Sequence, residues 1–250
     1  MEKKNTEISQ QDFVDNGSSS IRVYELPSGY VDPEGKVHTE IVIREMTGVE
    51  EDLLVSGSSG VLETVVKRCV TRVGKYEQNC KEWNTIFDSL PYSDLVFCLI
   101  RIRVVSLGRE MNLRVTCPKC ANISSQNLDL FDFEIEGNKD KERKVSGELP
   151  SGKKFVIHVH TLKDEEHTHK IKEAMTKEIM MRLEALDGDR PTVAMVRHLT
   201  MRDRSYLRSA IRQLEGKIDN EVEVTCPHCM HEFKAAMSVG DSSFFFPSEI

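Results

Sequence analysis

Two cysteine pairs constrain this chain more than any other feature. Val115-Thr116-Cys117-Pro118-Lys119-Cys120 recurs as Val224-Thr225-Cys226-Pro227-His228-Cys229. Zinc takes four ligands at the corners of a tetrahedron, and a Cys-x-x-Cys turn supplies two thiolates at once. The proline between them fixes one φ angle and stiffens the turn before any metal arrives. β-type runs lead into both turns, Leu113 to Thr116 and Glu221 to Thr225, which is the setting of a zinc ribbon. Residues 121–225 separate the pairs, against roughly fifteen to twenty residues in a compact ribbon. Two thiolates alone make a weak site. The spacing therefore predicts that Cys117, Cys120, Cys226 and Cys229 bind one structural Zn2+ shared by the two halves of the chain.

Three other readings stand beside it. Cys-Pro-x-Cys also resembles a thiol-disulfide motif, but that chemistry needs a helix N-terminus in a thioredoxin-like fold, and only 21 residues follow Cys229. The knuckles could fold without metal. Separate ions could be completed by histidine, although His228 and His231 lie near the second pair and no histidine neighbours the first. Zinc knuckles usually place glycine after the second cysteine to accept a left-handed backbone; here Ala121 and Met230 stand there.

The sequence repeats itself elsewhere. Glu25-Leu26-Pro27-Ser28-Gly29 recurs as Glu148-Leu149-Pro150-Ser151-Gly152. Each copy leads into a β-type run (Thr39 to Arg44; Lys154 to His160) and then an acidic helix start, with Thr47 and Glu50 forming a capping-box pattern. The expected fold is α+β: a tandem duplication of a hairpin–helices–knuckle unit whose two knuckles share one zinc-ribbon-like site. The expected boundaries are a disordered arm at 1–20, a first half at 21–136, a charged linker at 137–147, a second half at 148–237 and a Phe-rich tail at 238–250. Apolar periodicity predicts helices over Val61 to Val73, Ser93 (as N-cap) to Leu107, Asp164 to Leu186, a short one after Pro191, and Arg202 to Glu215, with Gly108 and Gly216 as stops. Leu128 to Glu136 alternates as a strand with an acidic face.

The 250 residues are 39% hydrophobic and 30% charged, with a net charge of −7. That balance argues against a protein whose main task is gripping phosphate backbones. No stretch approaches the roughly 20 apolar residues of a membrane helix, and the polar N-terminus does not read as a secretory signal. Seven cysteines in such a chain point to a reducing compartment and metal binding.

Other residues offer less. His158 and His160 alternate on a strand, without a third ligand placed to join them; His167 and His169 face different directions on a helix. Cys69 and Cys98 sit among apolar residues as core thiols, and Cys80 lies in a polar stretch. No phosphate loop, nucleophile elbow or HExxH is present, so no enzyme is expected. Phe244-Phe245-Phe246 has two readings: a tail that folds back onto the chain's own core, or an anchor inserted into a partner.

Together, Leu26-Pro27-Ser28-Gly29, Ile43 to Leu54 (IREMTGVEEDLL), Leu99-Ile100-Arg101-Ile102-Arg103 leading to Val115-Thr116-Cys117-Pro118, and the Phe-rich ending resemble the T-even-type (myovirus) phage baseplate hub and hub-assembly proteins. The resemblance implies a non-enzymatic virion component or assembly factor of a contractile tail, made in the host cytoplasm and contacting other tail proteins, without a small-molecule substrate. It carries the knuckle cysteines over to Cys117, Cys120, Cys226 and Cys229. The alternative is a zinc-ribbon adaptor or regulator acting on nucleic acid or polymerase, which would need a basic face on the ribbon. The strands there carry Asp129, Asp132, Glu134, Glu136, Glu221 and Glu223 instead.

Overall fold

The computed structural model describes residues 13–15, 20–57, 60–137, 142–168, 170–215, 218, 221–239 and 244–246. It is a mixed α+β chain with small antiparallel sheets and helices in both halves.

In the first half, β2 (Ser20–Val31) and β3 (Val37–Arg44) form a long hairpin extended by β4 (Val70–Val73) and β5 (Tyr76–Glu77), with β1 (Phe13–Asp15) on the far edge. The Leu-Pro-Ser-Gly residues interrupt the β2–β3 register between Glu25 and Tyr30. Gly29 takes φ 80° there, and a Cβ would sit 2.7 Å from the His38 carbonyl oxygen, so only glycine fits. Helix α1 (Gly48–Val55) starts where the Glu50 carboxylate reaches back to the backbone N–H and hydroxyl of Thr47, both at 2.9 Å. Arg44 grips the same carboxylate at 2.9 and 3.1 Å and holds Glu50 down to about 2. Helices α2 (Val61–Cys69), α3 (Trp83–Ser89) and α4 (Tyr92–Leu107) follow. Most of α4 is buried around its whole circumference, as an apolar sequence such as LVFCLIRIRVV requires.

The second half runs through a similar order, with nothing among its described elements to match β1 and β5. β8 (Lys144–Glu148), β9 (Lys154–His158) and β10 (Leu183–Leu186) make an antiparallel sheet in the order β10-β9-β8. Helices α5 (Leu162–Thr168) and α6 (Ala174–Met180) lie between β9 and β10, and α7 (Val193–Arg197) and α8 (Met201–Glu215) follow it. Gly152 repeats the positive φ of Gly29, at 86°. Thr161 repeats Thr47, donating its N–H and hydroxyl to Asp164 at 2.8 Å. Helix α8 buries Asp203, Leu207, Ile211 and Leu214, a single stripe at helical spacing.

There are two cores. The larger surrounds α4 and includes Leu26, Ile41, Val66, Phe87 and Ile102; the smaller holds Leu149, Phe155, Ile179, Leu207 and Ile211. The halves meet where Pro91 bridges Thr161, Tyr92 N–H donates to the His160 carbonyl (2.9 Å), and Arg143 donates to the carbonyls of Ser28 and Gly29 (3.1 and 2.6 Å).

Several sequence expectations are corrected. The helix at Val61 ends at Cys69, because the β-branched Val70, Thr71 and Val73 pair with β3 as a strand. The helix expected over Asp164 to Leu186 is two short helices and a strand. Leu183 to Leu186 is made of helix formers, yet pairing with β9 overrides propensity. Pro91, not Ser93, caps α4; Ser93 is buried, its hydroxyl 3.4 Å from that of Ser28. The strand expected at Leu128 to Glu136 lies earlier, at Ile123–Asp129. Phe13–Asp15, in the arm expected to be disordered, pairs with β2, and β8 begins at Lys144 inside the stretch expected to be a linker. The rest of that arm (1–12 and 16–19), the side chain of His167, His169 and Gly216 lie outside the described residues.

Phe244 and Phe245 are 0% and 2% exposed in the larger core, and Phe246 packs against it. The reading of Phe244, Phe245 and Phe246 as an anchor for a partner is therefore corrected. The tail folds back, because two phenyl rings bury more apolar surface on α4 than water would tolerate exposed. Arg103 Nε donates to the Phe244 carbonyl at 3.1 Å.

Candidate metal centre

Each knuckle is a six-residue turn at the tip of a two-stranded hairpin. β6 (Glu110–Thr116) and β7 (Ile123–Asp129) end in the pair Thr116–Ile123; β11 (Glu221–Thr225) and β12 (Glu232–Ala236) end in Thr225–Glu232. The turns are closed identically. Cys117 N–H donates to the Asn122 carbonyl and Ala121 N–H to the Cys117 carbonyl; Cys226 N–H donates to His231 and Met230 N–H to Cys226, all at 2.9 Å. Ala121 and Met230 take φ of 58° and 55°. The knuckle geometry is thus kept without glycine, at a cost of about 1 kcal/mol for each left-handed residue.

The four sulfurs, from residues 106 to 112 positions apart, come together. Cys117 Sγ lies 3.7 Å from Cys229 Sγ, Cys120 Sγ lies 3.6 Å from Cys226 Sγ, and all four are within 4.8 Å of one another. A tetrahedron with metal–sulfur bonds of ~2.3 Å has edges of about 3.8 Å, so the donor set fits a tetrahedral metal ion. The seven cysteines are all free thiols. Cys117 and Cys226 are buried, while Cys120 and Cys229 are half-buried at the rim.

The backbone N–H of Asn122 draws Cys120 down to about 6, whereas burial pushes Cys229 up to about 12 despite a matching N–H from His231. Four thiolates in this space would need positive charge between them. The two N–H donors occupy the same position in each knuckle and would orient the sulfurs around an ion.

Among the described residues, no other sequence candidate joins this group. His228 is exposed. His158 sits 3.7 Å from Asp164, and His160 is buried against the Tyr92 ring at 4.9 Å, so the two histidines do not converge. Cys69 and Cys98 are buried core thiols, with burial raising Cys69 to about 12; Cys80 is half-buried against the larger core. The knuckle strands expose Glu110, Glu221, Glu223 and Glu232 beside Arg114 and Lys234, which is not the basic face that nucleic acid would need.

Sequence reasoning missed one recurring pair. Asp94, at the start of α4, accepts the backbone N–H of Ser28 (2.8 Å) and of Gly29 (2.6 Å); Asp203, at the start of α8, accepts that of Ser151 (3.0 Å). Burial pushes Asp94 up to about 6 against those hydrogen bonds. Burial also works to raise Asp203, but hydrogen bonds from Thr200 and Ser151 outweigh it and hold the carboxyl low. These aspartates pin each Leu-Pro-Ser-Gly turn to its helix. The signal was an aspartate in the first turn of both helices, visible only once the helices are superposed.

Among proteins of known kind, a family model described as "T4 bacteriophage base plate protein" matches residues 20–245. No curated protein and no solved structure gives a match. No helix among the described residues is long and apolar enough to cross a membrane.

Proposed function

The chain belongs to the T4 bacteriophage base plate protein family, and from that premise we propose that it is a non-enzymatic structural or assembly protein of the tail baseplate hub, clipped by one structural zinc ion. The family supplies the structural baseplate role and the expectation of contacts with other baseplate proteins. The single observation that carries the rest is the meeting of Cys117, Cys120, Cys226 and Cys229 in a tetrahedral-sized space. Four thiolates in that arrangement suit zinc, with iron as the chemical competitor. Bound there, the ion would supply no catalysis; it would hold two hairpins from distant parts of the chain in one orientation. Duplication of one ancestral unit accounts for the shared element order, the paired glycines and the paired aspartates.

The test has two parts. Elemental analysis of the purified protein should find about one zinc per chain, lost in a Cys226→Ser Cys229→Ser variant. Mass spectrometry of purified particles and of assembly intermediates should find the protein with hub components. Iron in place of zinc, or no metal, would overturn the clip. Association with another tail substructure alone would overturn the hub.

A further inference from the structure

In the first half, the chain after the knuckle lies back over its own Leu-Pro-Ser-Gly turn and α4. Phe131 stacks under the Arg101 guanidinium (4.4 Å), which also covers Phe97 (4.8 Å). Phe133 is buried in the larger core, Ile135 packs against it, and Gly137 lies so close to Pro27 that a Cβ would overlap the Pro27 carbonyl. Asp132, Glu134 and Glu136 face solvent. A Phe-Asp-Phe-Glu-Ile-Glu segment thus sits, apolar side inward, in a groove between turn and helix.

The second half has the corresponding groove and nothing from the described chain in it. Matching Pro27 to Pro150 and Asp94 to Asp203 places Arg202, Ser205, Tyr206 and Ser209 where Ser93, Val96, Phe97 and Ile100 stand. Leu149, Pro150 and those four residues, together with Glu148, line an open groove of about 590 Å³. The second knuckle's own continuation does not return to it: Met237, Val239, Phe244 and Phe245 all pack into the first half's core. Tyr206 is 47% exposed where Phe97, which also meets the Tyr24 ring of β2, is 9%. Arg202 has no ion pair among the described residues. A ring and a guanidinium side by side on an uncovered surface are the residue types that dominate binding energy at protein interfaces.

We propose that this groove docks an extended, acidic, aromatic-bearing segment of a partner protein, held as residues 131–137 are held in the first half. Alternate apolar side chains would lie on Tyr206 and Pro150; the acids between them, which face solvent in the first half, would here reach Arg202, which stands where the first half has Ser93. Solvent-tolerant Ser205 and Ser209, in place of Val96 and Ile100, keep the groove soluble when empty. The proposal takes its setting from the assembly role above, while its test needs neither particles nor metal analysis, so the two can fail separately.

The probe is a labelled synthetic peptide of residues 128–137 (LDLFDFEIEG), titrated with the full chain by fluorescence anisotropy. Saturable binding is expected. Tyr206→Ala and Arg202→Glu, both surface changes, should each weaken it about tenfold or more. A peptide with Asp132, Glu134 and Glu136 replaced by their amides should bind less tightly to the unaltered chain. No saturable binding up to millimolar protein, or binding that both variants leave unchanged, would overturn the proposal.

Discussion

Helices α4 and α8 hold the same place in the two halves, each pinned at its start by an aspartate that grips a Leu-Pro-Ser-Gly turn. Yet α4 is buried on nearly every side and α8 on one stripe. The difference comes from what the rest of the chain does. Both segments that follow a knuckle pack onto the first half: Leu130 and Phe133 after the first, Met237 and Phe244 after the second. The sequence of each helix answers that coverage, with Leu95 and Leu99 in α4 where α8 has Arg204 and Arg208. One architecture therefore yields a well-covered half and a sparsely covered half. The sparse half relies on the sulfur cluster and on its junction with the first.

Removing the proposed ion should expose that dependence most strongly. Binding of a structural ion contributes on the order of 10 kcal/mol, so a strong chelator or Cys226→Ser should loosen the second half first. Hydrogen exchange should show amides of β8 to β10 losing protection before those of β2 to β4; the reverse order would break the comparison. Next in size, Phe244→Ala should cost about 3–5 kcal/mol. In urea unfolding followed by hydrogen exchange, the loss should fall on the first half, although the residue follows the second knuckle. Asp94→Asn and Asp203→Asn should each cost about 1–3 kcal/mol by weakening buried hydrogen bonds, and a much larger effect at Asp203 would mean the second half leans on its pin more than the first.

Acid should separate the halves more gently. Glu50 is held at about 2 chiefly by Arg44, so its contribution is complete above its ordinary value near 4.5 and is lost as pH falls toward 2. The loss, on the order of 1–2 kcal/mol after discounting for water around the part-exposed Arg44, should disappear in Glu50→Gln when stability is measured from pH 6 to 3. Asp164, the matching residue, has no arginine in that position. The smallest effect is expected from Arg208→Leu, within about 0.5 kcal/mol by thermal unfolding. The opposite exchange, Leu99→Arg, should be far more damaging.

Much of this arrangement was legible in the residues, for local reasons. Cys-Pro-x-Cys after a β-type run points to a knuckle, Thr47 and Glu50 mark a helix start, and Gly29 and Gly152 mark turns. What escaped was decided at a distance. Leu183 to Leu186 carries no strand signal, and only β9 alongside makes it one. Asp94 and Asp203 look like ordinary first-turn acids until the turns 66 and 52 residues earlier meet them. The fate of Phe244 turned on whether an apolar helix lay uncovered, which is a property of the whole fold. The spacing predicts that the four cysteines share one place, because each pair is incomplete without the other, and their sulfurs do lie within 4.8 Å of one another.

The bond from Arg103 to the Phe244 carbonyl spans 141 positions. During translation, then, the N-terminal portion emerges from the ribosome with α4 lacking its lid, and it must stay that way until residues near 244 have been made. The protein cannot mature piecemeal from front to back. Nascent chains should be sticky along α4 until late, which makes a holding chaperone during synthesis more valuable here than in a chain whose early domain closes on itself.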